Sequence, residues 1–417
     1  MKAAGIIAEY NPFHQGHAHQ IQECRRQSGC DHVIVLMSGN FVQRGTPAVF
    51  DAYSRAEMAL RGGADLVLSL PVWSATASAE GFARGAVRLL RDLRLPEAFS
   101  FGLEVPEEQS ASETLRDLEK LAALLAEEPE EYRSALRAGM KEGLSFPAAR
   151  SRAAASLLPQ AADLLATPNN LLATEYLKAL HDTNAPLIPI PVRRIGSAYH
   201  DAAPASLCSA TAVRAQLEKN GTLPAEGLPA SVLPVYERLL NASRPGAFLT
   251  ADDFSELLFY RLEQLDAAEL VAYADVSPEL AARLLEKKES CFTVSELWQA
   301  VKCRQLTQTR LMRAFFHILL SLTKDALAAY EALPHIPYTQ VLGCRRSALP
   351  LLGRLCETAD VPILVRPAAD ARCLPSAASA LYKVEARANA LYRRLLYQKT
   401  GLLLPEESRR RFEPLND

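Results

Sequence analysis

The 417-residue chain has little that would mark a specialised environment. No stretch of about 18 consecutive apolar residues appears, so a membrane span is not expected. The opening residues place Glu9 and Asn11 where a signal peptide would need an unbroken apolar core. The eight cysteines are dispersed with no C-x-x-C pair, which removes the usual signature of a structural zinc site. Without a secretion signal, reduced thiols and a cytoplasmic location are expected. Large charge of one sign is also missing: 46 Lys plus Arg face 48 Asp plus Glu, a net of −2. Any nucleic-acid surface must therefore be a local patch. Neither G-x-x-x-x-G-K-[ST] nor G-x-G-x-x-G occurs, against a P-loop NTPase or a standard dinucleotide site. No fixed-period repeat is visible.

What is present is 49% apolar and 23% charged residues, as in globular proteins, at a length suited to two or three domains. Buried-strand runs at Ala3–Ala8, His32–Met37, Ala64–Leu70 and Ala98–Gly102 alternate with helical patterns at 16–27, 51–61 and 78–93. That alternation predicts an α/β doubly wound parallel sheet. Residues 104–150, with eleven acidic and six basic residues, read as a helical insertion. A further helix and strand follow at 170–180 and 187–192, then a helix from Thr211. A mainly helical domain is expected over 221–417 after an ATP-binding α/β domain over 1–220, with candidate late strands at 338–342 and 361–365.

The sharpest signal is Asn11-Pro12-Phe13-His14-Gln15-Gly16-His17, directly after the first strand. A strand, tight turn and helix start form the geometry in which helix amides meet an anion. Gly16 leaves room for a nucleotide against the backbone, and His14 and His17 share one helix face. Two imidazoles there can donate to phosphate oxygens and offset charge developing on phosphorus. No third ligand stands at a supporting spacing, so no protein-bound metal is expected.

Ser38-Gly39-Asn40 closes the second strand at its ligand-binding end, and Arg44 follows in a Gly- and Pro-containing loop that reads as a flexible arm. Arg55 on the next helix is expected to face the same crevice. Ser209 and Thr211 cap a helix on which Arg214 lies one turn along, a pattern suited to holding a β- or γ-phosphate. Residues 331–417 hold thirteen basic and nine acidic residues, with Arg345-Arg346, Arg393-Arg394 and Arg409-Arg410-Arg411 clustered near Tyr382, Tyr392 and Tyr397. That region is the candidate RNA surface.

His14-Gln15-Gly16-His17 resembles the H-x-G-H signature of the nucleotidyltransferase superfamily. More narrowly, residues 5–14, Met37–Ala48, Phe101-Gly102, Pro168-Asn169-Asn170, Arg194-Ile195 with Tyr199-His200-Asp201, and Ser209–Arg214 resemble, in order, the blocks of the bacterial tRNA(Met) cytidine acetate ligase family. The resemblance implies an ATP-dependent ligase that forms acetyl-adenylate, releases pyrophosphate and acetylates N4 of the wobble cytidine of elongator tRNA(Met). It implies ATP, accompanied by Mg2+, as the nucleotide, and acetate and elongator tRNA(Met) as partners, with no protein partner. His14, His17 and Arg44 would be catalytic. Ile7, Glu9, Tyr10, Asn11, Pro12, Phe13, His14, Gly16, His17, Gln20, Gly102, Asn169 or Asn170, Arg194, Ile195, Ser209, Thr211 and Arg214 would bind ATP. Leu103 stands where the family pattern has Ser. The rival functions are a small-molecule adenylyltransferase, disfavoured by the long helical half, and a non-catalytic RNA-binding protein, disfavoured by the intact His, Gly and Arg set.

Overall fold

The computed structural model describes residues 1–194, 209–224, 226–242, 246–406 and 409–417. Nine strands are described: β1 (Ala3–Ala8), β2 (His32–Ser38), β3 (Phe41–Val42), β4 (Thr46–Pro47), β5 (Leu66–Leu70), β6 (Pro96–Leu103), β7 (Ile188–Arg193), β8 (Thr339–Cys344) and β9 (Ile363–Leu364). Seven form one sheet in the order β7-β6-β1-β2-β5-β8-β9. The neighbours from β7 through to β5 are parallel. Ile6, Val33 to Met37, Val67 and Phe99 are buried, as strands covered by helices on both faces require.

The chain winds outward from β1 through β2 to β5, then returns to the other side of β1 for β6 and β7. Beyond the carboxyl ends of β1 and β6 the connections therefore leave in opposite directions and open a crevice, the usual ligand position in such sheets. Helix α1 (Gln15–Ser28) starts at that edge, and helix α2 (Ala52–Arg61) follows the β3–β4 hairpin. The expected insertion is present as helices Ala111–Glu127, Glu130–Lys141 and Phe146–Ala155.

Two features differ from the sequence expectation. The late strands do form, but they extend this same sheet, β8 pairing antiparallel with β5 and β9 parallel with β8. The proposed division near residue 220 therefore does not separate the sheet from the later chain. Helix Ser376–Thr400 also lies against the early chain: Asn389 Oδ1 accepts from Asn40 Nδ2 at 2.9 Å, and Tyr392 donates its hydroxyl to the Ala48 carbonyl at 2.9 Å. Short-range pattern shows a strand or a helix, but not a partner some 300 residues away. Among the described residues no helix is long and apolar enough to cross a membrane.

Candidate active site

His14 is the N-cap of α1, and its backbone is extended, with φ −145°. Its Nδ1 accepts from the Gly16 amide at 3.0 Å, while the His14 amide donates to His17 Nδ1 at 3.2 Å. This is a capping box built from two imidazoles. Because each Nδ1 lone pair is occupied, each neutral ring carries its proton on Nε2, a tautomer set by these bonds. The rings stack with centroids 3.7 Å apart, and the Tyr10 ring packs 4.6 Å from His17. The site thus presents two fixed Nε2–H donors.

Electrostatics keep the rings neutral. Burial, then the guanidiniums of Arg194 and Arg214, push the His14 pKa down to about 4. His17 is held well below its ordinary value by burial, His14 and Arg194. The charge of Arg194 is thus felt at both rings and that of Arg214 at His14.

The geometry changes one sequence reading. The first amides of α1 do not await an anion, because Gln15 N donates to the Gly227 carbonyl at 2.9 Å and Gly16 N is taken by His14. The imidazole Nε2–H groups are the donors not taken up by the helix start. Gly16 makes room for the His14 ring: a Cβ there would stand 2.9 Å from His14 Cε1.

Around the pair, Arg214 donates to the Asn11 carbonyl at 2.5 Å and to Thr211 Oγ1 at 3.1 Å. Ser209 caps the Arg214 helix, its Oγ accepting from Ala212 N at 3.2 Å. Arg44 lies near enough to Arg214 to help lower its pKa, though burial is the larger cause. Arg44 is exposed at the turn between β3 and β4. That turn is braced rather than a flexible arm. Gln43 N donates to Glu9 Oε1 at 2.8 Å, and a Cβ on Gly45 (φ +71°) would stand 2.2 Å from the Arg313 backbone nitrogen.

Arg194 opens the rim beyond β7, its amide donating to the Leu103 carbonyl at 2.9 Å and its Nη1 to Asn169 Oδ1 at 2.9 Å. Asn169 also donates to the Glu104 carboxylate. Asn170 is buried and holds both the Glu104 amide and carbonyl at 2.9 Å, so its side chain is spent on the strand end. Of the two asparagines, Asn169 is the one with a side chain toward the rim. Gly102 borders Arg194, whose Cγ would lie 3.5 Å from a Cβ there. Leu103 is buried in the core, so the missing family hydroxyl leaves no gap in the site.

Other expected binders also make framework contacts. Tyr10 and Phe13 are buried with rings 4.9 Å apart, and Ile7 is buried in β1. Asn11 Oδ1 accepts from Val49 N at 2.8 Å, which fixes the turn through the cis Asn11-Pro12 bond. Gln20 reaches back to the Ser100 carbonyl at 3.3 Å. Ile195 and Tyr199-His200-Asp201 lie outside the described residues.

Arg55 does not face the crevice. It is fully buried and donates to the carbonyls of Glu9 at 2.5 Å, Phe50 at 2.9 Å and Ser38 at 3.0 Å, and to that of Gly39. Burial lowers its pKa to about 10, so it stays charged and ties the ends of β1 and β2 together. Gln43 lies inside the Met37–Ala48 block, but its backbone amide holds Glu9, a role no side-chain motif announces.

A second cluster, Asp92, His335 and Asp360, brings its ligand atoms within 4.8 Å. Arg91 and Arg94 already pair with its carboxylates, at 2.8 and 2.6 Å.

Comparison with known proteins identifies relatives of the whole chain. A family model described as HIGH Nucleotidyl Transferase matches residues 1–403. A tRNA(Met) cytidine acetate ligase of Syntrophomonas wolfei is 35% identical over 373 residues, covering 88% of this chain and 87% of its own. One from Thermoanaerobacter pseudethanolicus is 34% identical over 371 residues, covering 88% and 89%. Thermotoga maritima TmcAL, crystallised with alpha-thio ATP, superimposes with a TM-score of 0.84 at 27% identity over 95% of both chains. Its apo form gives 0.88 at 26% identity over 100% of both.

Proposed function

The chain belongs to the HIGH nucleotidyltransferase family, within it to the tRNA(Met) cytidine acetate ligases, and we infer that it is an ATP-dependent ligase that acetylates the wobble cytidine of elongator tRNA(Met). The observation behind this reading is the pair of neutral imidazoles, each with an Nε2–H, at the switch point of the sheet, with the charges of Arg194 and Arg214 both felt at His14.

In the first step the acetate carboxylate attacks the α-phosphorus of ATP and pyrophosphate departs. His14 and His17 donate through Nε2 to the α-phosphate oxygens as charge builds there, without exchanging protons. Arg44, Arg194 and Arg214 neutralise the leaving pyrophosphate, with the Ser209–Thr211 helix start beside them. Glu9, next to Arg214, already takes the Gln43 amide, so Mg2+ would arrive on the ATP phosphates rather than in a cage of side chains. In the second step the cytidine N4 amine attacks the acetyl carbonyl, the C–O bond to AMP breaks, and the amine loses a proton to solvent.

The test is incubation with labelled acetate, ATP and elongator tRNA(Met) transcript, followed by nucleoside analysis. Label in N4-acetylcytidine, dependent on ATP, is expected. Label confined to a small-molecule adenylate in the presence of the tRNA would replace this reading with the adenylyltransferase one.

A further inference from the structure

The late basic residues separate by what they touch. Arg345 Nη2 donates to the Leu60 carbonyl at 2.7 Å, Arg393 Nε to the Leu404 carbonyl at 2.5 Å, and Arg410 pairs with buried Asp51 at 2.9 Å. Tyr392 is buried in the core. These four residues of the patch expected from sequence hold the fold instead.

Of the expected patch, Arg394 and Tyr397 remain exposed on helix Ser376–Thr400, where Lys383 and Arg387 join them. Lys383, Arg387 and Arg394 stand at spacings of four and seven residues, which brings them onto one face. All three are exposed, and among the described residues none has an ion-pair or hydrogen-bond partner. The one acidic residue of this helix, Glu385, points the other way, accepting from the Val72 amide at 2.6 Å. Tyr397 continues the face at 51% exposure. The opposite face touches the segment carrying Arg44, through Asn389 to Asn40 and Tyr392 to Ala48.

We propose that the Lys383–Arg387–Arg394 ridge, with Tyr397 at its end, binds the phosphate backbone of the tRNA substrate, a proposal that rests on the functional reading above. Three unneutralised cations with no acid between them attract a polyanion, and the counterions condensed on the RNA are released when these side chains replace them at the phosphates. An exposed tyrosine offers a face on which an unpaired base stacks. Because the same helix backs the Arg44 hairpin, RNA held on the ridge is anchored to an element packed against the catalytic crevice.

The experiment compares the wild type, the triple variant Lys383→Gln/Arg387→Gln/Arg394→Gln, and a charge-matched control, Arg116→Gln/Arg137→Gln/Lys141→Gln, on the helical insertion. Affinity for elongator tRNA(Met) transcript is titrated at several salt concentrations, beside acetate-dependent ATP–pyrophosphate exchange. The ridge variant is expected to bind tRNA on the order of tenfold or more weakly, with a log–log salt slope shallower by up to about 0.9 for each phosphate no longer neutralised. Its exchange activity should stay at the wild-type level, and the control should keep its tRNA affinity. Unchanged affinity and slope in the ridge variant, or an equal loss in the control, overturns the ridge while leaving the functional reading standing. A wild type that exchanges pyrophosphate but binds no tRNA overturns both.

Discussion

At the scale of single residues, His14 and His17 are donors because their other ring nitrogens are committed to the helix start. That dependence makes Gly16 part of the site. Gly16→Ala should push the His14 ring off its amide, leaving overall stability within about 1 kcal/mol but lowering adenylate formation about a hundredfold, the scale of one lost transition-state donor. Steady-state pyrophosphate exchange measures it. The lowered pKa values give a second prediction. For His14 the unfolded chain takes up a proton near pH 6.5 that the folded chain refuses until about pH 4. Stability must therefore rise with pH across that window and be complete above it, since the unfolded state binds more protons there. Urea unfolding of the wild type and His14→Gln from about pH 4.5 to about pH 7.5 should show a shallower pH dependence in the variant. The motif and its chemistry are legible in the sequence. The capping box is not, because histidine is not a usual cap and only the observed geometry shows which nitrogen faces inward.

At the scale of elements, Gly45 and Pro47 beside Arg44 suggest a mobile arm in the sequence. The structure shows instead a turn pressed against the backbone of Met312 and Arg313. Gly45→Ala adds a Cβ where φ is +71° and no space remains. It should cost on the order of 1–3 kcal/mol and lower ATP affinity by shifting Arg44, as calorimetric titration and thermal unfolding of one sample would show. Arg55 misleads for a related reason: its position on an amphipathic helix does not tell a guanidinium facing solvent from one facing four carbonyls. Arg55→Met should leave those acceptors unpaired, destabilise the chain by on the order of 3 kcal/mol or more, and leave a soluble fraction with loosened crevice residues. Denaturant midpoints would show no such loss if Arg55 were an ordinary surface residue.

At the scale of the whole molecule, the alternation of strands and helices over the first 220 residues is readable because each buried strand is a local apolar run. That β8 and β9 complete the same sheet is not, since pairing partners at that separation leave no periodic trace. The consequence is a shared fold. Leu66 and Val67 of β5 lie against Cys344 and Gly343, and the chain end returns so that Leu415 N donates to the Cys344 carbonyl at 2.9 Å. A fragment of residues 1–220 should therefore fail to fold cooperatively, while the full chain unfolds in a single transition by circular dichroism. A fragment that melts sharply would mean that the nucleotide-binding part is independent after all.

On the proposed reading, activation of the acid turns on the two imidazoles. Acetate-dependent ATP–pyrophosphate exchange, measured without tRNA on wild type and on His14→Ala/His17→Ala shown to be folded, tests this most directly. The wild type should exchange and the double variant should lose at least about ten-thousandfold, two donors at roughly a hundredfold each. Exchange at the wild-type rate in the folded double variant would contradict the assignment.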